Sequence, residues 1–152
     1  MSNRAVLFDS LHATLTDLQR ITRPVGAADA VRRAEPDRWS VADVVAHLAQ
    51  IEPLMRARFV RVVTQKRPFE PHLHPDERAH DLTRPLSSLV EDFVRERRAT
   101  LDYLAALAPG DWNRKFTHHS DGEQLLRQGV LALVGHDNDH LEQIATIRDS
   151  LA

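Results

Sequence analysis

The sequence predicts an all-α protein, a four-helix bundle. Three observations carry that reading. Four long segments repeat apolar residues at spacings of three and four, the period of a helix with one buried face. No run sustains the apolar–polar alternation of a half-buried strand. The 152 residues, 42% hydrophobic and 28% charged, suit one globular domain with a real core, read as a single domain over 1–152.

The first helix carries Leu7, Phe8, Leu11, Leu15, Leu18 and Ile21 on one stripe, and Thr22, Pro24 and Gly26 stop it. A short turn or helix is expected in "GAADAVRRA", before Pro36. The second helix begins after Ser40, a good N-cap, with Asp43 placed to close a capping box. Its stripe is Val41, Val44, Val45, Leu48, Ile51, Met55, Phe59 and Val62. Pro53 lies within that run and predicts a kink or a helix broken in two. Residues 66–84 hold three prolines and no period, so they read as a long connection, able to cross over the bundle end. The third helix starts near Pro85, with Leu86, Leu89, Val90, Phe93, Leu101, Leu104 and Leu107 on its stripe, and ends at "APGDW". The fourth runs from about Gly122 to Ser150, with Leu126, Val130, Leu133, Ile144, Ile147 and Leu151 facing inward.

Composition excludes several classes of function. The formal net charge is −2 with both signs interspersed, so neither nucleic acid nor an anionic membrane is an expected partner. There is no cysteine, which removes disulfides, thiolate ligands and cysteine nucleophiles. Neither a signal-peptide pattern nor an apolar run near the roughly 20 residues of a membrane span occurs, and a cytoplasmic location is expected. A Gly-rich phosphate loop and a dinucleotide-binding fingerprint are also lacking.

Chemistry concentrates in "GHDNDHLEQI", residues 135–144. With Leu133 at the centre of the apolar face, His140 falls about 20°, Asp137 about 40° and His136 about 60° from it. These groups point inward, opposite to a solvated charged face. On the second helix His47 lies about 100° from Leu48, at the edge of the stripe, within reach of a cavity between the two helices. Inward polar groups need partners, and a divalent metal on an i, i+4 histidine pair plus a histidine from a facing helix supplies them. The plainer alternative, packed or capping histidines, stands beside it. The "HLH" at 72–74 and "HH" at 118–119 are less organised ligand candidates, and together with His12 and His80 they read as solvated residues, mostly in or near loops. No Glu follows His136, so the metalloprotease pattern is not met. Arg97, in the middle of the third stripe, either finds Asp137 or Glu52 inside the bundle or extends its guanidinium to solvent.

Two blocks, "RWSVADVVAHLAQIE" at 38–52 and "LLRQGVLALVGHDNDHLEQIATIR" at 125–148, with "FTHHSDGEQ" at 116–124 before the second, resemble the DinB-like superfamily across nearly the whole chain. That resemblance implies an up-down-down-up bundle, commonly a homodimer. It also implies a divalent metal, zinc or nickel, on His47, His136 and His140. It implies metal-dependent chemistry on a small-molecule substrate: a transferase using a low-molecular-weight thiol as co-substrate, a thiol-dependent isomerase, or a hydrolase. A metal- or small-molecule-binding stress-response protein without turnover is the alternative. In an enzyme, Asp137 is expected to orient a histidine ring, Gln143 to line the pocket, Arg97 to hold an anionic substrate, and residues 66–84 to cover the mouth of the site.

Overall fold

Each long helix starts where its capping residue directs. The structure, a computed structural model, describes residues 3–75 and 80–151. Helix α1 (Arg4–Thr22) opens with Asn3 Oδ1 accepting from the Ala5 N–H at 2.8 Å. A single turn, α2 (Ala27–Ala30), follows. Helix α3 (Val41–Thr64) has the capping box: Ser40 Oγ accepts from the Asp43 N–H, and Asp43 Oδ2 accepts from the Ser40 N–H. Pro53 sits inside α3 without dividing it, which corrects the expectation of two pieces. The proline removes one backbone hydrogen bond, while Ile51, Glu52 and Met55 around it are all buried and hold the helix to its neighbours. Helices α4 (Leu86–Ala105) and α5 (Leu126–Ser150) complete the bundle.

A small sheet is the feature the periodicity missed. Strands β1 (Phe69–Glu70), β2 (Lys115–His118) and β3 (Gly122–Leu125) pair in that order, β1 parallel and β3 antiparallel to β2. Elements of two to four residues are too short to display an alternation. Gly122, at φ +75°, makes the tight return that a side chain would disfavour. The fourth bundle helix therefore begins at Leu126 rather than near Gly122.

Cross-contacts fix the helix directions. Thr14 of α1 bonds Asp137 of α5, and Arg148 of α5 bonds the Ile21 carbonyl, so α1 and α5 run parallel. Arg56 of α3 reaches Glu96 and Thr100 of α4, and Glu52 meets Arg97, so α3 and α4 are parallel. His47 meets His136 while Phe59 packs over Gly129, so α3 and α5 are antiparallel. The order is up, down, down, up. Parallel succession from α3 to α4 obliges the chain to travel back along α3, roughly 36 Å for its 24 residues. Residues 65–85 make that return: the sheet ties them near one end of α3, and His80 meets Asp43 at the other.

Two apolar clusters fill the interior. Leu18, Val44, Leu48, Phe93 and Ile144 anchor one, and Leu7, Leu11, Phe59, Leu104, Leu126 and Val130 the other. Buried Thr14, Glu52, Arg97 and Asp137 lie at the levels between them. Among the described residues, no helix is long and apolar enough to cross a membrane.

Candidate metal centre

His47 stands on the second turn of α3, and His136 and His140 stand one turn apart on α5. The antiparallel pairing of these helices brings the three rings together. His47 Nε2 lies 3.2 Å and His140 Nε2 3.1 Å from His136 Nε2. One ligand atom from each of the three falls within 4.8 Å of the other two, and no other group of three or more histidines or carboxylates among the described residues does so. With zinc–nitrogen bonds of roughly 2.0–2.1 Å, tetrahedral ligand atoms stand about 3.3 Å apart, so the spacing fits a shared cation.

Hydrogen bonding alone does not satisfy this cluster. Gln143 Oε1 lies 2.8 Å from His140 Nδ1. With the amide so placed, Nδ1–H donates to it and His140 Nε2 is left as a bare lone pair. His136 Nε2 carries at most one proton and cannot donate to both neighbours. The Nδ1 atoms of His47 and His136 are buried without any partner among the described residues. Three converging imidazole nitrogens, with no proton arrangement that pairs them all, are a donor set for a borderline metal ion such as zinc, nickel or copper. His47 and His136 are also kept neutral, as ligation requires. Burial, reinforced by the charge His140 would carry, pushes both His47 and His136 down to about 4. Trp39 caps the group, its ring centroid 5.1 Å from that of His47 and 6.4 Å from that of His140.

Arg97 and Asp137, both expected at the site, belong to a different construction. Arg97 Nε and Nη2 donate to the two oxygens of Glu52, at 2.6 and 2.9 Å. Nη1 and Nη2 donate to those of Asp137, at 2.7 and 2.9 Å, and Nη1 also donates to the Leu11 carbonyl. All five guanidinium N–H groups are thereby used, and none is left for a substrate. Thr14 Oγ1 adds a bond to Asp137. Asp137 therefore bonds Arg97 and Thr14 rather than orienting a histidine ring; the i+3 residue Gln143 does that for His140. Arg97 follows the inward alternative, with both proposed carboxylates at once.

His80 departs from its reading as a solvated residue. Its side chain is 4% exposed, Nδ1 lies 2.9 Å from Asp43 Oδ1, and its ring meets Trp39 edge-on at 5.5 Å. Asp43 in turn receives Arg33 through two bonds of 2.9 Å. These contacts hold its carboxyl well below the usual carboxylate range, against the burial that opposes them. Nothing local announces His80, which sits in an aperiodic segment; Asp43 and Trp39 were visible only as part of the helix start. His12 is exposed on α1, as expected, while four others gather: His74 meets His72, His72 meets His119, and His119 meets His118, at centroid distances of 4.2–5.3 Å. They stand outside the three-histidine group. Of the connection expected to cover the site, His72, Leu73 and Pro75 border a cavity shared with His47 and His136, and residues 76–79 lie outside the described residues.

Similar folds exist among solved structures. YfiT from Bacillus subtilis, described as a probable metal-dependent hydrolase with an unusual four-helix bundle topology, superposes with a TM-score of 0.82 at 18% identity, covering 99% of this chain and 90% of that one. A DinB-like protein from Bacillus cereus gives 0.73 at 12% identity, covering 97% and 92%. No curated protein matches the sequence. The model of the DinB superfamily matches residues 10–144, a span that includes all three converging histidines, and the chain belongs to that superfamily.

Proposed function

We propose that this protein is a metal-dependent enzyme in which His47, His136 and His140 hold a divalent cation, zinc or nickel, and a small molecule is attacked by a water or a low-molecular-weight thiol. The observation that carries the reading is the convergence of three Nε2 atoms, those of His47 and His140 lying 3.2 and 3.1 Å from that of His136, with no fourth histidine or carboxylate joining the group among the described residues. A three-histidine set that leaves a coordination position open is the arrangement of catalytic rather than structural sites. A cation held there supplies Lewis acidity to the water or thiol. The residues of the chain do the rest. Gln143 fixes the His140 ring and its tautomer. Trp39 covers one side of the imidazoles and excludes water. Burial keeps His47 and His136 unprotonated at neutral pH.

The description of YfiT supports the hydrolytic form, and the superfamily resemblance the thiol-transfer form. The absence of cysteine leaves an external thiol without an internal competitor. Zinc- or nickel-loaded protein is to be incubated with monochlorobimane and a panel of small thiols, and separately with ester and amide substrates. Turnover that His140→Ala abolishes is expected. Background rates across both panels with fully loaded protein would instead indicate binding without catalysis.

A further inference from the structure

A cavity of about 280 Å³ opens beside the histidine cluster, between α3, α5, the connection after β1 and the end of β2. His47 and His136 form part of its wall, and Ile51, Met55 and Leu133 give it an apolar side. Its other polar groups are Arg58, His72, His118 and His119. Not one carboxylate borders it among the described residues.

Arg58 is the unusual member. Its side chain is only 8% exposed, yet its guanidinium is incompletely used. Nη2 donates to the Pro71 carbonyl at 2.6 Å, whereas Nε is buried without a hydrogen-bond partner among the described residues. The nearby carboxylate is Glu70, 3.4 Å from Nε. Glu70 is already engaged by Arg61, which grips both of its oxygens at 2.6 and 2.9 Å. Among the described residues two guanidiniums share one carboxylate, so one positive charge of that group is left over at the cavity wall. Burial works against that charge and Glu70 only partly offsets it. His118 adds a donor: its Nδ1 accepts from the Ser120 and Asp121 N–H groups, which puts the proton of the neutral ring on Nε2.

We propose that this cavity is the binding pocket for a small organic carboxylate, its anionic end on Arg58 and its apolar body along Ile51, Met55 and Leu133, directed toward His47 and His136. The planar fork of a guanidinium matches a planar carboxylate. The partly apolar wall suits a hydrocarbon body of a few carbons or one ring. Only the orientation toward the histidines rests on the metal reading given above; the seat on Arg58 does not.

The test is calorimetric titration of 3-phenylpropionate and its neutral amide into metal-free and zinc-loaded protein. The acid should bind both forms, and the amide should bind at least about tenfold more weakly, the loss of one charge-assisted hydrogen bond. Arg58→Gln should weaken the acid by a similar factor without changing zinc stoichiometry. Because Arg58 also holds Pro71 and Glu70, Ala132→Phe, which fills the cavity from an exposed position on α5, serves where Arg58→Gln fails to fold, and it should weaken acid binding by at least the same factor. Equal affinity for acid and amide, absence of acid binding, or unchanged binding in folded Arg58→Gln or Ala132→Phe would each overturn the proposal. Acid binding that needs zinc and ignores Arg58 would place the carboxylate on the metal and refute the seat while leaving the metal reading intact. Acid binding to protein that takes up no zinc would do the reverse.

Discussion

The interior of this bundle holds two polar groups that solve the same problem in opposite ways. Around Arg97, every donor and nearly every acceptor is matched: five N–H groups meet Glu52, Asp137 and the Leu11 carbonyl, and Thr14 completes Asp137. Around His136, three Nε2 atoms converge that no proton arrangement pairs, and two Nδ1 atoms have no partner among the described residues. Both draw a member from α5, where Asp137 follows His136 directly. A self-sufficient cluster holds helices in register and asks nothing of a ligand. An unsatisfied one, kept in place by the same helices, has stored a requirement that a ligand can meet. Adjacent residues of one helix thus divide into structural and functional by whether their hydrogen bonds close within the protein.

The largest effect should come from breaking the self-sufficient group. Arg97→Met leaves Glu52 and Asp137 buried without a counter-charge, and should cost about 3–5 kcal/mol in urea unfolding. Replacing all three residues together by Leu or Met of similar volume should recover most of that loss, since a fully apolar layer needs no pairing. If Arg97→Met alone proves neutral, the layer is not what holds the register.

A smaller effect separates the two groups by pH. In metal-free protein, burial lowers His47 and His136 from 6.5 to about 4. Between those values the unfolded chain binds more protons than the folded one, so stability rises with pH. The contribution is complete above about 6.5 and is lost as pH falls toward about 4. The melting temperature of metal-free protein should therefore drop across that window, and His47→Leu/His136→Leu should flatten the drop. An unchanged slope in the double variant would assign the acid sensitivity elsewhere.

The smallest effect concerns ring orientation. Gln143→Ala removes the acceptor at His140 Nδ1 and should weaken zinc about tenfold while leaving the stoichiometry unchanged. Unaltered affinity would mean that the His140 ring is fixed by packing against Trp39 instead.

Much of this was legible in the residues. The apolar stripes located all four helices, Ser40 and Asp43 marked a start that the structure reproduces, and helical angles put His136, Asp137 and His140 on the inner side of α5. What angles could not do was divide those inward groups. Asp137 and His136 point inward alike, and only the direction of neighbouring α1 and α4 decides that one meets Arg97 and Thr14 while the other meets His47. His80 and Arg58 were out of reach for another reason. Their surroundings come from the return connection and the sheet, whose pairing of β1 with β2 joins residues more than forty positions apart, and no local period reports such contacts.

The most direct test is zinc uptake by untagged, metal-stripped wild-type protein and by His47→Ala, followed by calorimetry and elemental analysis. Wild-type protein should take up one equivalent and, at a hundredfold excess over the dissociation constant, gain about 2.7 kcal/mol of stability. His47→Ala should fold and lose tight binding, since two imidazoles one turn apart make only half of a catalytic-type shell. Wild-type uptake below about a tenth of an equivalent, or full uptake by His47→Ala, would contradict a cation shared by the three histidines.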